Sequence, residues 1–191
     1  MNRTRFRLWL GWLLGMLLLP AVLAHPARVI LLRHAEKPAE ESDPDLSARG
    51  RQRADALATW LTTNAVLTDR GLPAVLFASQ VTDHGHGRRP RETLEPLAKK
   101  LGLPIQTPFR SEHYHALARF VLESEECDGK VVVICWVHEH LSKLAAALGV
   151  KPAPAAWKGS VYDRVWVLDW KNGQPRLRVV FQRLLPGDRK R

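Results

Sequence analysis

Apolar residues fall along this chain in two rhythms, unbroken runs and recurrences at helical spacing, and chemistry-bearing residues cluster where one gives way to the other. Residues 27–32 carry the run Val29-Ile30-Leu31-Leu32 straight into Arg33-His34, the pattern of a strand buried on both faces. Ser47 can cap a helix in which Ala54, Leu57, Ala58 and Leu61 share one face, with arginines expected on the wet reverse. A short strand at 75–78 and a helix at 91–101, stopped by Gly102 and Pro104, follow, and 114–122 reads as a third helix. Residues 131–135 form the strongest central strand and pass into a helix at 139–148 that closes at Gly149. The runs 161–169 and 177–183 alternate around Lys171-Asn172-Gly173, and Asn-Gly between apolar runs predicts a hairpin. Strand and helix signals that alternate in this way predict an α/β fold: a three-layer α/β/α sandwich on a mostly parallel sheet that ends in an antiparallel pair.

The N-terminus has to be set aside before that domain is counted. Arg3, Arg5 and Arg7 precede the apolar stretch 8–19, and Val22-Leu23-Ala24 offers small residues before His25. Residues 1–24 are therefore expected to be a secretory signal peptide, with an uncleaved membrane anchor as the competing reading. The anchor reading suffers from Pro20, which leaves the apolar run short of the ~20 residues a span prefers. Residues 25–191 then make one domain, periplasmic or secreted, whose only membrane proximity would come through an uncleaved segment. Of 29 Lys and Arg, loss of those three leaves 26 against 19 acids, a formal charge of +7. That balance favours anionic partners such as phosphorylated small molecules. Nucleic acid is not expected, because no recognition motif accompanies the charge. Cys127 and Cys135 could pair in an exported protein, with a buried reduced Cys135 the default, and the two make no metal site. Residues 186–191 read as a frayed basic tail.

Arg33-His34 at a strand end joins a nucleophile to a cation. A histidine attacks phosphorus through an unprotonated ring nitrogen, and an arginine fork disperses charge on the phosphoryl oxygens. With Arg89 ahead of Glu92-Thr93 and a second strand ending near His138, the set resembles the histidine phosphatase superfamily, the phosphoglycerate mutase-like enzymes, over nearly all of the chain after residue 26. Ala35 stands where that superfamily carries glycine, and Leu46-Ser47-Ala48-Arg49-Gly50 is similar to its Leu-Ser/Thr-x-x-Gly element. The resemblance implies that His34 is the nucleophile and that Arg33, Arg89 and His138 bind the phosphoryl group, with no metal or other cofactor. Arg88 and Arg91 could replace Arg89, and His140 could replace His138. The loop carrying His84 and His86 is longer than the common version, and both are expected to be exposed loop histidines.

Release of an alcohol requires a proton, so a carboxylic acid is needed near His34. Glu139 is the first candidate, because in the acid phosphatase and phytase branch an acidic residue directly follows the second histidine. Glu112, where mutase-like members carry their acid, is the runner-up, and Glu36 is third. Lys37 reads either as charge at the mouth or as a solvated side chain. Trp136, Trp157 and Trp166 read as core rather than as a pocket wall. The resemblance implies a phosphomonoesterase acting on a small anionic substrate, whose exported relatives take envelope sugar phosphates or scavenged organophosphates. A non-catalytic anion-binding or envelope interaction module is the alternative, and a mutase the third.

Overall fold

The computed structural model describes residues 25–40, 42–83, 85 and 87–189. The expected signal peptide, His84 and His86 lie outside them. Among the described residues, no helix is long and apolar enough to cross a membrane.

Six strands form one sheet in the order β3-β2-β4-β1-β5-β6, with β1 at Arg28–Arg33, β2 at Pro73–Ala78, β3 at Ile105–Gln106, β4 at Val131–Trp136, β5 at Arg164–Lys171 and β6 at Gln174–Phe181. Strands β1 to β4 run parallel, and β5 turns back against β1. Every residue of β1 and β4 is buried, as a strand covered on both faces requires. Lys171 pairs with Gln174 across Asn172 and Gly173, whose φ values of 52° and 73° suit the tight hairpin turn that Asn-Gly favours.

Alternate side chains of β1 divide between two cores. Ile30 and Leu32 pack with Leu57 and Leu61 of α1 (Ala48–Thr63), Leu67 of α2 (Ala65–Thr68), and Leu94 and Leu97 of α3 (Arg88–Leu101). Val29 and Leu31 face α4 (Tyr114–Glu123) and α5 (His138–Ala147) on the other side. Trp136, Trp157 and Trp166 are buried in that second core and line no part of the cleft described below. The expected three layers are present.

Several details depart from expectation for physical reasons. Helix α3 begins at Arg88 because Gly87, with φ 92°, makes the entry turn without any side-chain cap. Strand β3 and helix α2 are too short to impose a period, and the pattern predicts neither. In α1 the reverse face is not uniformly wet, since Arg53 is buried while Arg49 and Arg51 are exposed. Cys127 and Cys135 are both free and buried, in cores on opposite faces of the sheet. They form no disulfide, and burial pushes the Cys127 thiol up to about 11. The tail is not frayed as far as it is described. Arg49 Nη2–H donates to the Pro186 carbonyl, and Asp188 accepts from the Leu184 and Leu185 amides and from Arg53.

Candidate active site

Parallel sheets gather ligands beyond the carboxyl ends of their strands, and here the register aligns those ends. Arg33 pairs with Trp136 and Ala78 with Cys135, so the chain leaves β1, β4 and β2 on one edge. A cleft of about 510 Å³ opens there, and Arg33, His34, Arg89, His138, Glu139, Glu112 and His140 all line it. The topology has brought together residues from four separate strand-to-helix junctions.

His34 continues the β1 ladder by donating its amide to the Trp136 carbonyl at 3.2 Å. Its side chain is only 5% exposed, and its Nδ1 lies 2.7 Å from the Ala35 carbonyl. A carbonyl can only accept, so Nδ1 carries the ring proton and Nε2 keeps its lone pair. Burial, reinforced by the positive charge of Arg33 and Arg89 and opposed by the Ala35 hydrogen bond, pulls the imidazole down from 6.5 to about 3. The ring is neutral near pH 7. Nitrogen-15 spectra of the His34 ring should therefore show a protonated Nδ1 and a bare Nε2 from pH 8 down to about pH 4. A midpoint near 6.5 would contradict this placement. The same shift makes stability fall as the pH drops from about 6.5 towards about 3, because the unfolded chain takes up a proton that the folded ring refuses.

Arg33 is held on two sides. Its Nη1–H donates to the Gly159 carbonyl, and its guanidinium carbon lies 4.0 Å above the Tyr162 ring, a stacking that suits a planar cation. The Tyr162 ring also stands edge-on to His34 at 6.2 Å. Gly159 meets the second histidine too: a Cβ at this position would sit 2.9 Å from His138 Nε2. A side chain there would press on that ring and push it aside. Neither Gly159 nor Tyr162 is legible in the sequence, since both reach the site from a segment far beyond β4.

Arg89 occupies the first turn of α3, where Pro90 fits because its missing amide would have no helical partner. Its Nε and Nη2 donate to the Asp45 and Asp43 carbonyls at 3.2 and 2.5 Å. The spacing from Arg89 to Thr93 has a structural cause. Thr93 Oγ1–H donates to the Arg89 carbonyl at 2.7 Å and Thr93 Oγ1 accepts the Ala35 amide at 2.9 Å, so one buried hydroxyl ties the α3 turn to the residue after His34. Ala35 itself turns its methyl into a small core with Leu46 and Ala54, and its amide is engaged with Thr93. Arg88 pairs with Asp45 and Arg91 with Glu95, and neither lines the cleft.

His138 opens α5, and burial together with the charge of Arg33 lowers its pKa. Its Nδ1 lies 3.1 Å from Glu139 Oε2 but out of line for a hydrogen bond. His140 turns its Nδ1–H to the Ser111 carbonyl at 2.7 Å and packs by Tyr114. His138, not His140, is among the groups whose charge acts on His34. Of the acid candidates, Glu139 is 60% and Glu112 52% exposed on the cleft rim. Glu112 pairs with Arg110 at 3.1 Å, a cleft arginine that the sequence did not single out, and its pKa is lowered by its own backbone amide, Ser111 and Arg110. Glu139 is the acid whose charge acts on Arg33. Lys37 lines the cleft as well.

Glu36 points away from the cleft. Its carboxylate grips Arg53 Nε and Nη2, and Arg53 reaches on to Asp188 and Gln182. The third acid candidate is thus spent on structure. The backbone of Glu36 shows what the Leu-Ser-x-x-Gly element does. Its carbonyl accepts from the Ser47 amide at 2.9 Å and hydroxyl at 3.1 Å, Ser47 Oγ caps the Gly50 amide, and a Cβ on Gly50 would lie 2.3 Å from the same carbonyl. The segment after His34 is thereby fixed against α1. Among the described residues, no group of three or more His, Cys, Asp or Glu is placed to hold a metal ion.

No family model and no curated protein matches the sequence. Solved structures do match in three dimensions. A protein from Escherichia coli named a putative alpha-ribazole-5'-P phosphatase superposes with a TM-score of 0.57 at 18% identity, covering 81% of this chain and 96% of that one. The chain has the fold of these phosphatases. An alpha-ribazole phosphatase from Shigella flexneri gives 0.51 at 16% identity, covering 85% of this chain and 100% of its own. A mycobacterial glucosyl-3-phosphoglycerate phosphatase, solved with inorganic phosphate, gives 0.50 at 19% identity over 82% and 97%. The phosphatase fold, phosphoglycerate mutase-like, is the one expected from Arg33-His34, Arg89 and His138.

Proposed function

We propose that the chain is a phosphomonoesterase of the histidine phosphatase type. The observation that carries the reading is the His34 ring, buried, neutral and held by the Ala35 carbonyl with Nε2 unprotonated, in a cleft lined by Arg33 and Arg89. His34 Nε2 attacks phosphorus in line, and the P–O bond to the alcohol breaks as Glu139 delivers a proton to the departing oxygen. Arg33, Arg89 and His138 disperse the charge on the non-bridging oxygens. Water then attacks the phosphohistidine, Glu139 takes its proton, and inorganic phosphate leaves.

The substrate is a small phosphate monoester. A cleft of about 510 Å³ walled largely by polar residues suits a compact ligand, and the names of the similar structures, an alpha-ribazole phosphatase and a glucosyl-3-phosphoglycerate phosphatase, support a sugar-bearing one. With residues 1–24 as an export signal, the enzyme works in the periplasm or outside the cell.

Purified protein should hydrolyse both p-nitrophenyl phosphate and alkyl phosphates. Glu139→Gln should slow the alkyl ester by about a hundredfold or more and the nitrophenyl ester far less, because nitrophenolate leaves without a proton. Equal losses would make Glu139 a support for His138 and move the acid to Glu112. Phosphate binding without turnover of any ester would instead make the chain an anion-binding module.

A further inference from the structure

Among the described residues, four of the buried side-chain polar atoms that lack a hydrogen-bond partner belong to residues lining this one cleft: Arg33 Nε, Ser79 Oγ, Thr82 Oγ1 and His138 Nδ1. Folded proteins pair the great majority of their buried polar atoms. A cluster of orphans around one cleft therefore marks groups that a ligand completes. Arg33 and His138 already have that role in the proposed reaction, but Ser79 does not.

Ser79 is 0% exposed and directly follows β2. Because Ala78 pairs with Cys135, the register carries Ser79 to the row of Trp136, the residue that pairs with Arg33. Ser79 thus belongs to the floor of the cleft, level with the arginine beside the nucleophile. Its backbone is fixed from two directions. The Gln80 amide donates to the Phe109 carbonyl at 2.8 Å, and the α3 entry turn lies so close that a Cβ on Gly87 would stand 2.2 Å from the Gln80 carbonyl and 3.1 Å from that of Ser79. A donor held on a rigid floor with no protein acceptor is pre-organised for a ligand oxygen.

We infer that Ser79 is a substrate-binding residue, its hydroxyl donating to a non-bridging phosphoryl oxygen on the β2 side of the group. The inference rests on the phosphatase reading. Its row, level with Arg33, assigns the hydroxyl to the phosphoryl group, and the organic part of the substrate takes the polar groups nearer the mouth, such as Gln80 and Ser42, which are exposed. As a neutral donor Ser79 adds direction to the oxygen without adding charge to a site already rich in arginine.

Calorimetric titration with inorganic phosphate tests this on the full chain and on Ser79→Ala, alongside the Tm of each without ligand. Loss of one hydrogen bond to a charged acceptor should weaken phosphate binding about tenfold, with a parallel fall in kcat/KM for p-nitrophenyl phosphate. The unliganded Tm should stay level or rise, because the variant removes a buried hydroxyl that has no partner. A lower unliganded Tm with the same binding loss would make Ser79 a structural residue and overturn the inference. Phosphate binding within twofold of wild type would overturn it too, leaving the phosphatase reading intact. A wild-type protein that binds no phosphate would overturn both.

Discussion

Arg53→Ala should lose about 3–5 kcal/mol of stability, the usual cost of breaking a buried ion pair from one side. For a domain of this size that is a Tm lower by roughly 10 °C. Arg53 is only 2% exposed, and its guanidinium bridges Glu36, two residues after His34, to Asp188 at the far end of the chain. Removing it leaves Glu36 and Asp188 only the half-exposed Arg49, at 3.2 and 3.7 Å, as a charged partner. Because Arg53 and two backbone amides hold Asp188 down from 3.8 to about 2, its share of the stability is present above about pH 4 and is lost as the pH falls through 2. Without the buried cation both carboxylates protonate more readily in the variant, so the gap from wild type should narrow as the pH falls from 7 towards 4. Calorimetric unfolding across that range checks both points. A Tm within 3 °C of wild type at pH 7 would mean that the network contributes little.

What the sequence discloses here follows from range. Strands β1 and β4 are legible because continuous Val, Ile and Leu stand between polar residues, and the hairpin because Asn172-Gly173 sets its own turn. Arg33, His34, Arg89 and His138 are legible because each sits at a strand-to-helix junction, where a parallel sheet places chemistry. The rest depends on contacts that no local pattern carries. Gly159 is one glycine among 12 until its loop returns over Arg33 and His138. Arg53 shares a helix with the exposed Arg49 and Arg51, and only its register against the Asp188 tail buries it. Ser79 is an ordinary residue after a short strand until the fold closes around it.

His34→Ala should abolish hydrolysis, a loss of about 10⁴-fold or more where the nucleophile itself is removed. Loss of activity alone would not say which atom carries the phosphoryl group. The direct measurement is a rapid quench in alkali after brief incubation with phosphorus-labelled substrate, since phosphoramidates survive base better than acid, followed by mapping of the labelled residue. Label is expected on His34 in the wild-type protein and none on His34→Ala. Label that persists in His34→Ala, or a labelled residue other than His34, would contradict His34 as the nucleophile.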